Sequence, residues 1–116
     1  MTMRDLDAAR RFYGAALAEL GLTESVDDRG RLEYGLDGRS DFGFYTAPRT
    51  FFQQPHVAFV ATSRDEVDRF YETALANGGT SLDGPRERPE FGLYSAYLAD
   101  PEGNGVEVAY RLDSTA

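Results

Sequence analysis

The chain has 116 residues, of which 41% are hydrophobic, 28% charged and 13% aromatic. That length supports one compact core but not two independent ones, and the composition excludes a disordered tail. A formal charge of −8 and a pI near 4.5 disfavour nucleic acid and anionic membrane as partners.

No apolar run approaches the roughly 20 residues needed to span a bilayer. No basic-then-apolar leader opens the chain, so the cytoplasm is the expected compartment. With no cysteine, disulfides, thiolate nucleophiles and zinc–cysteine sites are excluded. His56 is the only histidine, so a His-rich metal site within one chain is excluded as well.

In chain order, the first element is an amphipathic helix within DAARRFYGAALAELG, residues 7–21. Leu6, Ala9, Phe12, Tyr13, Ala16, Leu17 and Leu20 recur at helical spacing, with Asp5 as N-cap and Gly21 as the stop. Three strand-like segments follow at 22–26, 31–36 and 42–46, divided by the turns DDRG and DGRS. The linker TAPRTFFQQP carries Phe51 and Phe52, which suit a cover or a contact between subunits. A strand, HVAFVAT, then opens at His56.

The next helix, DEVDRFYETALANGG at 65–79, repeats the first at a constant offset of 58. Asp7/Asp65, Arg11/Arg69, Phe12/Phe70, Tyr13/Tyr71, Ala16/Ala74, Leu17/Leu75, Ala18/Ala76 and Gly21/Gly79 are identical pairs. Ser63 with Glu66 makes a capping box. Strands are expected at 80–82, 94–99 and 105–111. A Pro- and Arg-containing loop, 83–92, falls after the first, and the turn DPEG precedes the last.

The chain is thus a tandem repeat of strand, helix and three strands. It reads as one α+β domain, with module one at 1–47, a linker at 48–54 and module two at 55–112. Met1 falls in the middle of the strand expected before the first helix, so that strand is expected to be truncated.

This duplicated module resembles the vicinal oxygen chelate superfamily, the group of glyoxalases, bleomycin- and fosfomycin-resistance proteins and extradiol dioxygenases. The residues that carry the resemblance are HVAFVAT, the helix ending RFYETAL, and DPEGNGVEV, which looks like the signature D-P-[DE]-G-N-x-[ILV]-E. The stretch RPEFGLYSAYLADPEGNGVEVAY is similar to the small single-domain members.

The resemblance implies an eight-stranded mixed sheet curled into a cup. It also implies a divalent metal, such as Zn, Mn, Ni or Fe, held by first- and last-strand residues of both modules. Carried onto this chain, His56 and Glu107 match the ligands of module two, with Glu107 also the catalytic candidate. Period-two alternation agrees, because Gly105, Glu107 and Ala109 share one strand face, as do His56, Ala58 and Val60.

Module one departs from the pattern. Its first-strand ligand position falls before Met1, and aligning DFGFY (41–45) with VEVAY (106–110) matches Tyr45 to Tyr110 and sets Phe42 in place of Glu107. Two ligand positions of four remain, and Tyr45, Asp41 or a second subunit are the sources for more.

Arg88, Phe91, Tyr94, Phe42 and Tyr45 are the substrate-contact candidates. Arg86 and Arg88 suit either a carboxylate clamp or solvated pairing with Glu87 or Glu90. Tyr94 and Tyr97, three apart, point to opposite faces, so at most one lines the cavity.

Three functions stay open. One is a metal-dependent lyase, isomerase or dioxygenase acting on adjacent oxygens, with His56 and Glu107 also serving as an acid/base pair. Another is a metal-free small-molecule binder of the bleomycin-resistance type. The last is a fold relic with a filled cup. A homodimer is expected in each case, because a truncated first strand leaves an open sheet edge.

Overall fold

The computed structural model describes residues 2–3, 5–28, 31–35, 42–46 and 56–112, with the side chains of 5–24 and 57–112. The elements run β1 (Thr2–Met3), α1 (Leu6–Ala18), β2 (Thr23–Asp28), β3 (Arg31–Gly35), β4 (Phe42–Thr46), β5 (His56–Val60), α2 (Arg64–Ala76), β6 (Thr80–Arg88), β7 (Leu93–Ala99) and β8 (Gly105–Arg111). They make an α+β architecture of mixed sheets and two helices.

Among the described residues the strands form two four-stranded sheets of matching order, β1-β4-β3-β2 and β5-β8-β7-β6. In each, the strand before the helix lies parallel to the last strand of its module. The other pairs are antiparallel.

Both helices begin where a side chain can cap them. Asp5 accepts from the Ala8 amide at 3.1 Å, and Ser63 accepts from the Glu66 amide at 3.1 Å. The return bond of the second cap reaches one residue further back than in a standard capping box. Glu66 Oε1 accepts from the Thr62 amide at 2.8 Å.

The helices cover one face of the sheets and build a single core. Ala9, Phe12, Tyr13, Ala16 and Leu17 of α1 are fully buried, as are Val67, Phe70 and Ala74 of α2 and Ala96, Leu98, Val106 and Val108 of the second sheet. Each large aliphatic or aromatic side chain so buried contributes about 1.5–3 kcal/mol of transfer free energy. Where α1 meets the end of α2 the approach is close. A Cβ on Gly79 would lie 2.6 Å from the Phe12 ring, so only glycine fits there.

The expected strand at 80–82 and the loop at 83–92 are corrected. β6 continues to Arg88, with register shifts between Ser81 and Asp83 and between Asp83 and Arg86. These irregularities absorb Gly84 and Pro85. A proline is tolerated because β6 is an edge strand, where a missing N–H breaks no ladder bond on the outer side.

Candidate functional site

β8 starts from a turn that is itself a packed structure. The Asp100 carboxylate is 2% exposed and accepts four hydrogen bonds. They come from the Glu102 and Asn104 amides at 2.9 Å each, Asn104 Nδ2 at 2.8 Å and the Tyr13 hydroxyl at 2.7 Å. A buried carboxylate is tolerable only when its lone pairs are satisfied in this way. Burial and the neighbouring Asp100 charge hold the Tyr13 hydroxyl well above the usual phenol range. Glu102 Oε2 accepts from the Asp5 amide at 2.8 Å, so the same turn also holds the start of α1.

From this turn β8 carries its side chains alternately to two faces. Val106 and Val108 enter the core under α2, while Glu107 is half-buried on the opposite face. In register beside Glu107 stand Ala58 of β5 and Tyr97 of β7. Burial, and then the Glu107 carboxylate beside it, raise the pKa of the Tyr97 hydroxyl. Ala58 is exposed, and Val60, next on the same face, is 76% exposed.

Behind Tyr97 lies Arg88, only 3% exposed. Its guanidinium carbon stands 4.8 Å from the Tyr97 ring centroid. Nε donates to Ser95 Oγ at 2.7 Å and Nη1 to Asp83 Oδ2 at 2.9 Å. Nη2 donates to the Gly84 and Ser95 carbonyls at 3.4 and 3.3 Å. The guanidinium beside Asp83 holds that carboxyl below the usual carboxylate range.

Of the residues singled out above, the structure gathers Glu107 and Arg88 through Tyr97. Solvated pairing of Arg88 with Glu87 or Glu90 is corrected: its partners are Asp83, Ser95 and Gly84. Arg86 does pair at the surface, also with Asp83, at 3.4 Å. Tyr94 does not join them. Its hydroxyl donates to Asp68 of α2 at 2.7 Å and Arg64 lies 5.0 Å over its ring, which puts Tyr94 on the helix side. The strand parity of Tyr94 and Tyr97 is as expected, and Tyr97 is the one beside Glu107.

Phe91, 67% exposed, sits in the turn between β6 and β7. The backbone of Phe42 and Tyr45 belongs to β4, but their side chains, and Asp41, Phe51 and Phe52 altogether, lie outside the described residues. The register position of His56 is opposite Gly105, one two-residue step from the Ala58–Glu107 pair, and its side chain is likewise outside them. Among the described residues no three His, Asp or Glu side chains converge to hold a metal. Glu107 by itself, a single carboxylate, does not make a metal-binding set.

Comparison with known proteins bears on this arrangement. The chain is similar to a glyoxalase/bleomycin resistance protein from Albidiferax ferrireducens T118, at 30% identity and a TM-score of 0.83, over 96% of this chain and 94% of that one. A lactoylglutathione lyase from Agrobacterium tumefaciens matches at 25% identity and a TM-score of 0.66, over 95% and 88%. A glyoxalase-related enzyme from Fulvimarina pelagi, at 23% identity and a TM-score of 0.73 over 96% and 85%, shares the fold. Among curated proteins none matches the chain significantly. The family model for the Glyoxalase/Bleomycin resistance protein/Dioxygenase superfamily matches residues 1–108, and the chain belongs to that superfamily.

Proposed function

We propose that the protein binds a small molecule over the open face of the second sheet, with Glu107 as its anchoring carboxylate. The observation that supports this is a half-exposed acid on a strand whose other face is sealed core. Ala58 and Val60 beside it leave room for a ligand body. In this reading the two sheets curl into one eight-stranded cup, with module one at 1–47, the linker at 48–54 and module two at 55–112. Arg88 acts through Tyr97, and Phe91, Phe42 and Tyr45 belong to the cup's rim and floor.

The protein works as a cytoplasmic homodimer. Among the described residues β1 is an edge strand of the first sheet, and a sheet edge favours pairing with a second copy.

A second reading is metal-dependent lyase, isomerase or dioxygenase chemistry, supported by the register of His56 near Glu107 and by the likeness to a lactoylglutathione lyase. His56 and Glu107 would then be this chain's ligands, and the metal would supply Lewis-acid polarisation of a substrate oxygen.

A small-molecule library read by thermal shift separates the two, run once with chelator and once with Zn, Mn, Ni or Fe. Stabilisation in chelator that disappears in Glu107→Gln is the expected result. Hits that all require metal transfer the conclusion to the second reading. An absence of hits under both conditions overturns small-molecule binding.

A further inference from the structure

The chain has two asparagines, Asn77 and Asn104, and each precedes a glycine. A glycine has no Cβ to shield its amide nitrogen, so an Asn–Gly pair is where that nitrogen most readily attacks the asparagine carboxamide. The fold treats the two pairs in opposite ways.

Asn104 is 1% exposed, and its Nδ2 and backbone amide donate to the Asp100 carboxylate at 2.8 and 2.9 Å. Gly105, next to it, lies in the ladder between β5 and β7. Neither group can turn towards the other without breaking the sealed turn.

Asn77 is the C-cap of α2 and only half-buried, its Nδ2 donating to the Thr73 carbonyl at 2.8 Å. Gly78 is exposed, with a positive φ of 104°. Among the described residues its N–H meets no acceptor, whereas the N–H groups of Asn77 and Gly79 both donate to the Ala74 carbonyl. Ring closure needs Asn77 Cβ and Gly78 N nearly eclipsed about the Cα–C bond, and at the observed ψ of 32° they are turned apart. Bringing them together requires only the end of α2 to open, and helix ends fray.

From this we propose that Asn77 is a site of spontaneous deamidation, gated by opening of the last turn of α2, and that Asn104 is protected. The Gly78 nitrogen attacks Asn77 Cγ, the Cγ–Nδ2 bond breaks, and the Gly78 amide proton leaves with the nitrogen as ammonia. The product is a five-membered succinimide. Water then adds to either of its carbonyls and opens the ring, leaving aspartate or isoaspartate at position 77.

Either product works against the helix end. The new carboxylate cannot donate to the Thr73 carbonyl. It also sets a negative charge at the C-terminus of α2, whose last turn carries no basic residue. Isoaspartate lengthens the main chain by one carbon just before Gly79, where a Cβ would already lie 2.6 Å from the Phe12 ring. Deamidation therefore loosens the contact between α1 and the end of α2.

The two sites fall in different tryptic peptides, 70–86 and 87–111, because Pro89 blocks cleavage after Arg88. The full chain is incubated in mildly alkaline buffer, folded or in guanidinium, and digested at intervals for mass spectrometry. In guanidinium both peptides should gain the mass of deamidation. In the folded chain 70–86 should gain it, more slowly than in guanidinium, while 87–111 stays unchanged. A gain in both folded peptides, in 87–111 alone or in neither overturns the assignment. A gain in 70–86 as fast as in guanidinium overturns the gating. Asn77→Asp reads the consequence separately: it should melt below the parent, with a gap that narrows as salt screens the new charge. A melting temperature equal to the parent's overturns the loosening.

Discussion

Two carboxylates seven residues apart, Asp100 and Glu107, belong to one run of sequence, DPEGNGVE, and have opposite fates. Asp100 is sealed at 2% exposure with four donors around it, from the turn and from α1. Glu107 stands half-exposed on an open sheet face, with Tyr97 as its cross-strand neighbour. A carboxylate sealed by four donors is structural, whereas a half-exposed one can be reached from solvent. The difference teaches that this run does two separate jobs: its turn holds the modules together, and its strand sets a carboxylate on the face away from the core.

Substitutions that break the sealed side should have the largest effect on stability. Asp100→Ala removes an acceptor that four donors share and leaves a void beside Tyr13. Urea denaturation should show a loss of about 3 kcal/mol or more. Tyr13→Phe withdraws one donor from a buried carboxylate, for a loss of about 1–3 kcal/mol by the same measurement.

The Tyr13 hydroxyl also makes the sealed side sensitive to base. Its pKa in the folded state is raised, so its contribution is fully present below the unfolded phenol value of about 10 and is lost as pH rises beyond it. Stability of the parent protein should therefore fall above about pH 10 more steeply than that of Tyr13→Phe.

On the open side the effects are smaller. Asp83 is depressed, chiefly by its hydrogen bond from Arg88, so its contribution is present above the unfolded value of about 4 and is lost as pH falls below it. Asp83→Asn should flatten that acid limb in a pH series of melting curves. Glu107→Gln should be the mildest, within about 0.5 kcal/mol of the parent in urea, while abolishing ligand stabilisation. A large stability loss in Glu107→Gln would erase the contrast with Asp100.

Much of this plan was legible in the sequence. The repeat at an offset of 58 located both helices and their caps. Period-two alternation told the core side of β8 from the Glu107 side, because a strand offers only two faces. What escaped were facts of register and burial. Asp83–Gly92 read as a loop because Gly84 and Pro85 are turn residues. Only the two register shifts in β6 show how a strand passes through them.

Arg88 read as a choice between clamp and solvated charge because its actual partners, Asp83 and Ser95, are brought to it by that same strand. Tyr97 was separable from Tyr94 by parity. Which of them faced Glu107 required the pairing of β7 with β8, and the Asp68 contact then accounts for Tyr94. Asp100 was recognisable as a turn former, but nothing local announces that Tyr13, 87 residues earlier, completes its shell.

That separation has a kinetic consequence. Closing so long a loop costs chain entropy before any contact repays it, so the bonds from Tyr13 to Asp100 and from Asp5 to Glu102 are expected to form late in folding. Interactions absent from the folding transition state govern how fast the native state opens. The turn before β8 is therefore a brake on unfolding, and Tyr13→Phe should shorten the native lifetime while leaving the refolding rate nearly unchanged.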